Sequence, residues 1–409
     1  MRYSQCGHIT FTQPVRWWTA NANHRMKPPR LDWKKLKVHP LAERRSLTSA
    51  DDILIAPDSD PPKCAEAASR QVRACAEQIR KARNRGAGVI LMYGAHLLRN
   101  GAALILDQMM ERGWLTHLAT NGAGTIHDWE YAWFGRSTES VRSNVATGTF
   151  GAWDETGRNI LLALLAGGLQ GEGYGQALGR LIAEDGVSLP DPGELQALIR
   201  ENPAHPLTPA RADLLRIMGE HGLPSGRIAV EHRWKRASIL AQAFRRDIPM
   251  TVHPGIGYDI IANHPIFDGG VVGRAATVDF RLLGDSADAL DGGVVLSVGS
   301  AIMAPQVFEK TLSCVNNLRL QAGRPIVSGH TIYVVDLQDG GNWDWTTGEP
   351  PKTNAAYYLR FCKSFARMGG AMHYVQCDNL AFIHNLFREL RDGDESARRH
   401  NSGCAAGAV

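Results

Sequence analysis

The sequence predicts an α/β protein with a doubly wound, mostly parallel, Rossmann-like sheet. Short apolar runs bounded by glycines alternate with stretches of helical periodicity, and this order of elements builds a parallel sheet. The chain has 409 residues and 42 glycines, and the glycines cluster between the apolar runs, where strand-to-helix turns need them. Because 44% of the residues are hydrophobic, the chain has enough apolar surface to bury a large core.

The elements follow one another in a regular order. After a helix over 64–85, the glycine-bounded run GAGVILMYG predicts the first buried strand. In chain order, strands are predicted within residues 86–94, 115–119, 227–230, 248–257, 292–300, 331–337 and 372–378. Helices are predicted over 64–85, 97–112 and 238–246, from 301 to 317, from 379 to 390, and through most of 137–225.

Three segments differ in composition. Residues 1–60 are polar and proline-rich, with Trp17 and Trp18 among basic residues, and are predicted to form an N-terminal arm. This arm packs either on a neighbouring subunit or on its own domain. Residues 61–391 are predicted to form a single α/β domain. Residues 392–409 are charged and then small and polar, which indicates a flexible C-terminal tail.

Composition argues against several classes of protein. The net charge of +4 is too small to indicate a nucleic-acid partner. The seven cysteines are an odd number without a CxxC pair, which argues against a disulfide framework and against a zinc site. No apolar run reaches the length of a membrane span, and the N-terminus has no signal-peptide pattern. The sequence therefore predicts a cytoplasmic protein without a membrane, nucleic-acid or metal partner.

Glycines and polar residues follow six of the predicted strands. These strand ends are YGAH (93–96), ATNGAG (119–124), VHPGIGYD (252–259), SVGSA (297–301), LQDGGNWD (337–344) and VQCDN (375–379). Ligands of doubly wound sheets bind beyond the carboxyl ends of the strands, so these ends predict one shared pocket. The alternative is that short loops between packed elements need the same glycines.

Individual residues at these strand ends have candidate roles. The glycines of NGAG (121–124) let backbone N–H groups approach a phosphate or a ribose, although the segment is not GxGxxG. His96 and His253 are candidate proton acceptors, because imidazole titrates near neutral pH, or they are structural. Asp259 and Asp344 either hold a cationic substrate or a ribose hydroxyl, or cap nearby N–H groups.

Two further pairs of residues border the predicted pocket. Trp343 and Trp345 flank an aspartate, and indole faces beside a carboxylate suit a bound amine, with surface packing as the alternative. His127 and His264 either line the pocket or are structural. The histidines do not have the spacing of metal ligands, so no metal site is predicted.

Five segments resemble the deoxyhypusine synthase family, in the same order along residues 85–390. The first, AHLLRNGAALILDQMMERGWLTHLATNGAGTIHDWE (95–130), resembles that family's strand, helix and TTAGG-type turn with an acidic residue after it. The others are DIPMTVHPGIGYDIIANHP (247–265), GGVVLSVGSAIMAPQVFEKTL (292–312), YVVDLQDGGNWD (333–344) and HYVQCDNLAFIHNLF (373–387). They resemble the family's IPV…TDGSLGD, GGGVVKHH and YAVYINTAQEFD segments and its final strand.

The resemblance implies a deoxyhypusine synthase-type NAD-binding fold and a homotetramer with active sites at subunit interfaces. Members of the family bind NAD, oxidise spermidine to an imine and pass an aminobutyl group to a lysine of a translation factor. Asp259 falls where the family holds an amine of the polyamine. The residues that the resemblance places against NAD are Thr120, Asn121, Gly122, Gly299, Ser300, Asp339, Gly340, Asp344 and Asp378, the last at a position that Cys377 fits about as well.

The chain departs from the family where the family does its chemistry. The position of the catalytic lysine falls near Leu359 or Arg360, and an arginine cannot form a Schiff base because its guanidinium is not nucleophilic. Lys352 lies seven or eight residues too early for this role, and Lys363 lies three or four residues too late. Further replacements are Ala304 and Pro305 for the family's paired histidines and His96 for the asparagine of its first nucleotide loop.

Three functional hypotheses follow. The first is an NAD-dependent transferase or oxidoreductase acting on a small cationic amine or polyamine, with Asp259 holding the cation and His96 or His253 accepting a proton. The second is a non-catalytic or regulatory dinucleotide-binding protein of the same fold, indicated by the missing lysine. The third is a transferase that uses Lys352 from a displaced loop. A closed, self-filled pocket favours the second hypothesis, and an open pocket on which His96 and Asp259 converge favours the first.

Overall fold

The computed structural model describes residues 31–406. The predicted features on residues 1–30, Trp17 and Trp18 among them, lie outside the described residues, as do residues 407–409. The strands are β1 (Thr48–Ser49), β2 (Val89–Tyr93), β3 (His117–Thr120), β4 (Arg136–Ser137), β5 (Gly186–Leu189), β6 (Gly226–Ala229), β7 (Met250–Val252), β8 (Val294–Val298), β9 (Thr331–Asp336) and β10 (Ala371–Gln376).

The helices connect these strands and cover the sheet. They are α1 (Ala50–Ile53), α2 (Glu66–Asn84), α3 (Ala95–Arg99), α4 (Ala103–Glu111), α5 (Gly122–Phe134), α6 (Val141–Thr147), α7 (Asp154–Gly168), α8 (Tyr174–Glu184), α9 (Pro192–Glu201), α10 (Thr208–His221), α11 (Ile239–Arg245), α12 (Gly269–Asp288), α13 (Met303–Gln321), α14 (Arg360–Ala366) and α15 (Asn379–Ala406). Short 3₁₀ helices lie at Trp33–Lys35, Leu41–Glu43, Lys235–Ala237, Ile260–Asn263, Trp345–Thr347 and Ala355–Tyr358.

Six strands form the central sheet in the order β7-β3-β2-β8-β9-β10. All neighbouring pairs in this sheet are parallel. Counted along the chain, this is the 3-2-1-4-5-6 order of doubly wound dinucleotide-binding folds. The predicted doubly wound, Rossmann-like α/β fold is therefore confirmed, and all six strands with polar ends overlap their predicted ranges.

Helices cover both faces of the sheet and bury its central strands. Val89, Leu91 and Tyr93 of β2 pack in one apolar cluster with α2 and α15, whereas Ile90 and Met92 pack on the opposite face with α13 and α14. Alternate side chains of a strand point to opposite faces, so a strand that is buried on both faces needs a continuous apolar run. This is why GAGVILMYG predicts its strand correctly.

Two predicted elements differ from the structure. The helix expected over 97–112 is two helices, α3 and α4, which are separated at Gly101. Gly101 has φ +91°, and a Cβ there would lie 1.8 Å from the Ile53 carbonyl oxygen, so the chain turns where apolar periodicity alone continues. The strand expected over 227–230 is β6, which pairs antiparallel with β5 in a separate two-stranded sheet. β5 itself lies in a segment that was expected to be helical, because its four residues are too few for a clear period-two pattern.

Helix α15 continues past the predicted end of the domain. It runs to Ala406 and so includes most of the segment predicted as a tail. Side-chain contacts support this extension: the Trp114 indole N–H donates to Asp394 at 3.2 Å, and the Ser396 hydroxyl donates to the Asp392 carbonyl at 2.8 Å. Between residues 31 and 406, none of the helices is both long enough and apolar enough to span a membrane.

The described part of the N-terminal arm packs on its own domain. Leu41 is fully buried, and a β-bridge joins His39 to Trp153. Strand β1 pairs antiparallel with β4, and Arg44 reaches a buried glutamate, Glu130, on α5. Within residues 31–60, the arm therefore contacts its own domain, and packing on a neighbouring subunit stays a prediction.

Candidate active site

The carboxyl ends of the six parallel strands lie along one edge of the sheet. Neighbouring strands lie about 4.8 Å apart, so the ends of β7 and β10 are separated by about 24 Å. The predicted site residues fall into two halves, one over β7, β3 and β2 and the other over β8, β9 and β10. A small molecule can contact only one of these two groups of residues, whereas an extended ligand can contact both.

The strand order reverses between β2 and β8, and two glycines meet at this point. The N–H of Gly94 donates to the Val298 carbonyl at 3.1 Å. A Cβ on Gly94 would lie 2.0 Å from the Gly299 carbonyl oxygen, and a Cβ on Gly299, which has φ +60°, would lie 2.2 Å from the Asn379 amide nitrogen. Both turns therefore need glycine, and the crevice beside them is where doubly wound sheets bind ligands.

Polar groups without partners lie at the start of α13, beside this crevice. Within residues 31–406, no acceptor takes the backbone N–H groups of Ala301 and Ile302. The Ser300 hydroxyl accepts the N–H of Ala304 at 3.3 Å. The Asn379 side-chain oxygen is buried and has no hydrogen-bond partner in the same range of residues. Free N–H groups at the start of a long helix favour an anionic ligand, and the Asn379 oxygen adds an acceptor.

The predicted NAD contacts beyond β9 and β10 are exposed carboxylates that cap their own loops. Asp339, Asp344 and Asp378 each accept the N–H group two or three residues further along the chain, at 2.9 to 3.0 Å. Gly340 is buried against Tyr374, where a Cβ would lie 2.5 Å from the ring. Loop capping, the alternative role predicted for Asp344, therefore occurs at all three aspartates, and each carboxylate keeps a second oxygen for other partners.

The Thr120 and Asn121 side chains, which follow β3 and are predicted to contact NAD, already form hydrogen bonds within the protein. The Thr120 hydroxyl donates to the Tyr93 carbonyl at 3.0 Å. The Asn121 side chain caps α5 by accepting the N–H of Gly124 at 2.9 Å. These side chains shape the turn and the first residues of α5, and the predicted opening of a helix by NGAG is confirmed.

Asp259 lies at the start of α5, in the half of the edge over β3 and β7. A Cβ on Gly122 would lie 2.1 Å from an oxygen of the Asp259 carboxylate, so this carboxylate fills the space that a side chain would need. The N–H of Gly255 donates to the same oxygen at 2.7 Å. Asp259 is 5% exposed, and burial raises its pKa to about 6 although the Gly255 N–H favours the charged form.

Asp259 borders a cavity of about 260 Å³. One face of α5 contributes Ala123, Ile126, His127 and Glu130, which recur at helical spacing. The other lining residues are Arg44, Arg99, Thr138, Glu139, Val141, Phe150, Tyr258 and Ile260. The cavity thus combines apolar walls with two arginines, three carboxylates and one imidazole.

The two histidines predicted as proton acceptors do not lie at this cavity. His96 is exposed on the first turn of α3 and is not among the cavity-lining residues. His253 is buried, with its Nε2 3.1 Å from the Thr251 hydroxyl, which in turn lies 2.9 Å from His117. Burial lowers the pKa of His253 to about 4. This buried network agrees with a structural role for His253, which was the alternative to a proton acceptor. Within the described chain, no contact joins His96, His253 and Asp259.

His127 is the histidine that shares the cavity with Asp259. The sequence includes it only among residues bordering the pocket. A stronger signal was available in the spacing of Ala123, Ile126, His127 and Glu130 directly after the NGAG turn, which places them on one helix face.

The tryptophans and lysines considered from the sequence lie elsewhere. Trp343 donates its indole N–H to the Gly348 carbonyl at 2.8 Å, and Trp345 is 3% exposed in the core. Both follow β9, four strand spacings or about 19 Å from β7, so they do not stack on a cation held by Asp259. Lys352 is exposed in the same region, and the Lys363 ammonium lies 3.6 Å from the Tyr357 ring centre.

Comparison with known proteins finds no protein family and no curated protein that matches the sequence. Solved structures with a related chain trace include apo ArgZ, an arginine dihydrolase from the ornithine–ammonia cycle in cyanobacteria, at 13% identity and a TM-score of 0.37 over 79% of this chain and 33% of that chain. AgrE in ternary complex with ornithine and NAD+ matches at 13% identity and 0.40 over 80% and 34%. A conserved LOR/SDH protein from Methanococcus maripaludis S2 matches at 16% identity and 0.39 over 83% and 74%.

This chain spans about a third of the length of ArgZ and AgrE. Likeness at this level of identity and overlap gives no information about activity. None of these three proteins is a deoxyhypusine synthase, and the resemblance to that family stays a prediction.

Proposed function

We propose that this protein binds NAD across the carboxyl edge of its sheet and oxidises an amine in the cavity beside Asp259. The observation that carries the proposal is the position of that cavity. It is bordered by α5, which follows β3, and by the loop after β7, and β3 is the neighbour of β2, where the strand order reverses. The buried Asp259 carboxylate is among its lining residues. An amine held there would lie beside a dinucleotide in the crevice.

The crevice suits a dinucleotide in three respects. Gly299 keeps the turn after β8 free of a side chain. Among the described residues, the N–H groups of Ala301 and Ile302 find no acceptor and the Asn379 side-chain oxygen finds no donor. Gly299, Ser300 and Asn379 would hold the phosphates and their neighbouring hydroxyls. When bound, NAD+ supplies an acceptor for a hydride from the carbon next to nitrogen.

The next strand offers acceptors for a ribose. Asp336 ends β9, the strand that follows α13, and acidic residues at this point of a βαβ unit bind ribose hydroxyls. Asp339 lies three residues further, in the loop after the strand, and is exposed. Both belong to the proposed site, with Asp344, Gly340 and Asp378 at its outer end.

The cavity suits a cation. Asp259 and Glu139 both border it, and Glu130 is neutralised by Arg44 at 2.7 Å. An ammonium group beside Asp259 would restore a charge partner to a carboxylate whose pKa burial raises to about 6. Arg99 also borders the cavity, without an ion-pair partner among the described residues, and would accept an acidic group on the same substrate.

The polyamine substrate and the homo-oligomer implied by the family resemblance belong to this proposal as its finer parts. The chemistry would differ from that of the family, because Leu359 is buried and Arg360 is exposed where the family has its lysine. Lys352 and Lys363 are not among the residues that border the cavity. Oxidation without covalent attachment of the substrate to a lysine is therefore the form of the reaction that we propose.

Calorimetry with NAD+ and NADP+, followed by measurement of NADH absorbance with methylamine, putrescine and spermidine, tests the proposal. We expect NAD+ to bind and at least one amine to produce NADH. Asp259→Asn should remove amine-dependent NADH formation and leave NAD+ binding intact, whereas Asp285→Asn, on the exposed surface of α12, should retain both. No NAD+ binding at millimolar concentration would refute the proposal.

A non-catalytic dinucleotide-binding protein is the second candidate. The observation that favours it is that the Thr120 hydroxyl and the Asn121 side chain are already hydrogen-bonded within the protein. In the same experiment, NAD+ binding with no NADH formation from any amine would support this candidate. The cavity is not filled by side chains, which favours the enzyme, but His96 and Asp259 do not converge on it as the prediction for the enzyme requires.

A further inference from the structure

A chain of buried hydrogen bonds ends at the cavity. The Arg44 guanidinium donates to both oxygens of the Glu130 carboxylate, at 2.7 and 2.8 Å. The Ser137 hydroxyl donates to Glu130 at 2.5 Å, and His127 Nδ1 lies 2.7 Å from that hydroxyl oxygen. Arg44, Glu130 and Ser137 are all buried, with side-chain exposures of 2% and 1% for the ion pair.

The direction of each hydrogen bond follows from the groups present. A carboxylate that is paired with an arginine only accepts, so the single hydroxyl hydrogen of Ser137 goes to Glu130. The Ser137 oxygen then accepts from His127, which requires a hydrogen on Nδ1. In neutral imidazole only one nitrogen carries hydrogen, so the lone pair lies on Nε2. His127 Nε2 has no partner among the described residues, and His127 borders the cavity.

We propose that His127 Nε2 is the proton acceptor of the cavity and that Ser137 and Glu130 position it. This inference deepens the proposed function, because it names the group that would take a proton from the bound amine. In that step an N–H bond of the ammonium breaks and an Nε2–H bond forms. The imidazole becomes imidazolium, and the amine becomes neutral and regains the lone pair that it needs to form an imine.

The groups around the imidazole keep it neutral, which leaves its lone pair free but makes it a weaker base than free imidazole. Burial lowers the pKa of His127 to about 4, Glu130 raises it, and Arg44, Arg99 and His96 lower it further. The Tyr131 ring, at 6.5 Å between ring centres, also faces the imidazole. His127 is therefore neutral near pH 7 and offers a lone pair. Asp259, which borders the same cavity, would stabilise the imidazolium or ammonium formed there.

Nitrogen NMR of histidine-labelled protein tests the positioning without any turnover. Long-range proton–nitrogen correlations distinguish a hydrogen on Nδ1 from one on Nε2. We expect His127 to carry its hydrogen on Nδ1 in the unaltered protein. Ser137→Ala should weaken that preference, and Ser143→Ala, an exposed serine on the nearby α6, should not change it. A hydrogen on Nε2 in the unaltered protein would overturn the proposal even if Ser137→Ala failed to fold.

Titration with methylamine, putrescine and spermidine tests the proton acceptor itself. We expect the Nε2 resonance of His127 to shift on saturation with at least one amine, while the resonances of His117, buried elsewhere, stay in place. If the Nε2 resonance does not shift with any of the three amines, the inference is wrong. If NADH is produced, His127→Gln should lower kcat by about 10²- to 10⁴-fold with a smaller change in KM.

The two proposals fail in different ways. If amines shift the Nε2 resonance but NAD+ does not bind, the dinucleotide function is wrong and the proton acceptor stands. If NAD+ binds and amines produce NADH while His127 Nε2 is unresponsive, the function stands and the assignment to His127 is wrong. Ser137→Ala adds a separate measurement. If Ser137 positions His127, this variant should shift the acidic limb of the pH profile of NADH formation and not only lower the rate.

Discussion

The Asp259 carboxylate occupies the space in which Gly122 would carry a side chain, 2.1 Å from the position of its Cβ. This contact joins the loop after β7 to the first residue of α5. It buries a charged group at the start of a helix, where the free N–H groups favour an anion. The glycine after β3 therefore serves the substrate side of the proposed site, although the sequence predicts it as a nucleotide contact.

Replacing Gly122 should disturb Asp259 directly. We expect Gly122→Ala to lower the free energy of unfolding by about 1–3 kcal/mol, because the added methyl group would overlap a buried carboxylate. Gly219→Ala in α10 is the matched control, since a Cβ there meets nothing within 4 Å, and it should be neutral or stabilise by up to about 1 kcal/mol. Urea unfolding measures both, and equal effects would contradict the contact.

The ion pair between Arg44 and Glu130 should be costly to break. Arg44→Met leaves a buried carboxylate without its cation, and we expect a loss of about 3–5 kcal/mol in the free energy of unfolding. Arg236→Met breaks an exposed pair with Asp51, 3.4 Å apart, and should cost less than about 1 kcal/mol. Similar losses for the two variants in urea unfolding would show that the Arg44 pair is not buried.

A double variant should separate the stability lost with the ion pair from the stability lost because a buried carboxylate has no cation. Arg44→Met combined with Glu130→Met removes both charges, and we expect it to recover part of the stability lost in Arg44→Met alone. The recovery should be incomplete, because Ser137 and Thr156 also lose their acceptor on Glu130. A double variant less stable than Arg44→Met would contradict this account.

Buried His117 should make stability depend on pH in a defined direction. Its ring nitrogens lie 2.7 Å from Ser286 and 2.9 Å from Thr251, and burial lowers its pKa to about 3. Between pH about 6.5 and 3 the unfolded chain binds a proton at this residue and the folded chain does not. This residue's contribution to the free energy of unfolding therefore falls as pH drops through that window.

A comparison of slopes isolates this contribution. The buried carboxyls of Asp128 and Asp279, whose pKa values burial raises to about 7 and about 8, act in the opposite direction. We therefore expect His117→Gln to reduce the slope of unfolding free energy against pH by up to about 1.4 kcal/mol per pH unit. His96→Gln, at an exposed position, should have the same slope of unfolding free energy against pH as the unaltered protein. An unchanged slope in His117→Gln would contradict the burial of a neutral imidazole.

Asn379 should contribute to dinucleotide affinity if the crevice binds NAD. Its side-chain oxygen is buried beside Gly299 and has no partner in the part of the chain that the structure describes, so a donor on the ligand would complete its hydrogen bonding. We expect Asn379→Ala to weaken NAD+ binding by about two- to twelvefold, the equivalent of one hydrogen bond. Asn317→Ala, exposed on α13, should leave the affinity measured by calorimetry unchanged, and identical affinities for both variants would exclude Asn379 from the site.

Two cysteines distant in sequence should cross-link. The sulfur atoms of Cys64 and Cys377 lie 3.6 Å apart, and a modest side-chain rotation would bring them to bonding distance. Burial raises the pKa of the Cys377 thiol, and Cys64 is the more exposed of the two residues, so Cys64 would react first with an added disulfide-forming oxidant. We expect peptide mapping by mass spectrometry to find this link. Cys64→Ser should abolish it, and a different pairing would contradict the packing of β10 against the segment before α2.

The central sheet could be predicted from the sequence because its signals are local. A strand buried on both faces needs a continuous apolar run, and a parallel connection needs a glycine or a polar turn at each end. Once six such strands are parallel, their polar ends must share one edge. The residue ranges of β2, β8 and β9 follow closely from these rules, whereas the short β5 gives too little pattern to detect.

The pairing of side chains across the site was decided by the tertiary structure alone. Arg44 and Glu130 are 86 residues apart, and Asp259 meets Gly122 only because β7 lies beside β3. The sequence ranks His96, His253 and Asp259 together, since each follows a strand, but it contains no information on which face of a helix or loop each side chain occupies. Contacts between distant segments depend on how helices pack against the sheet, and that is why His127 and not His253 shares the cavity with Asp259.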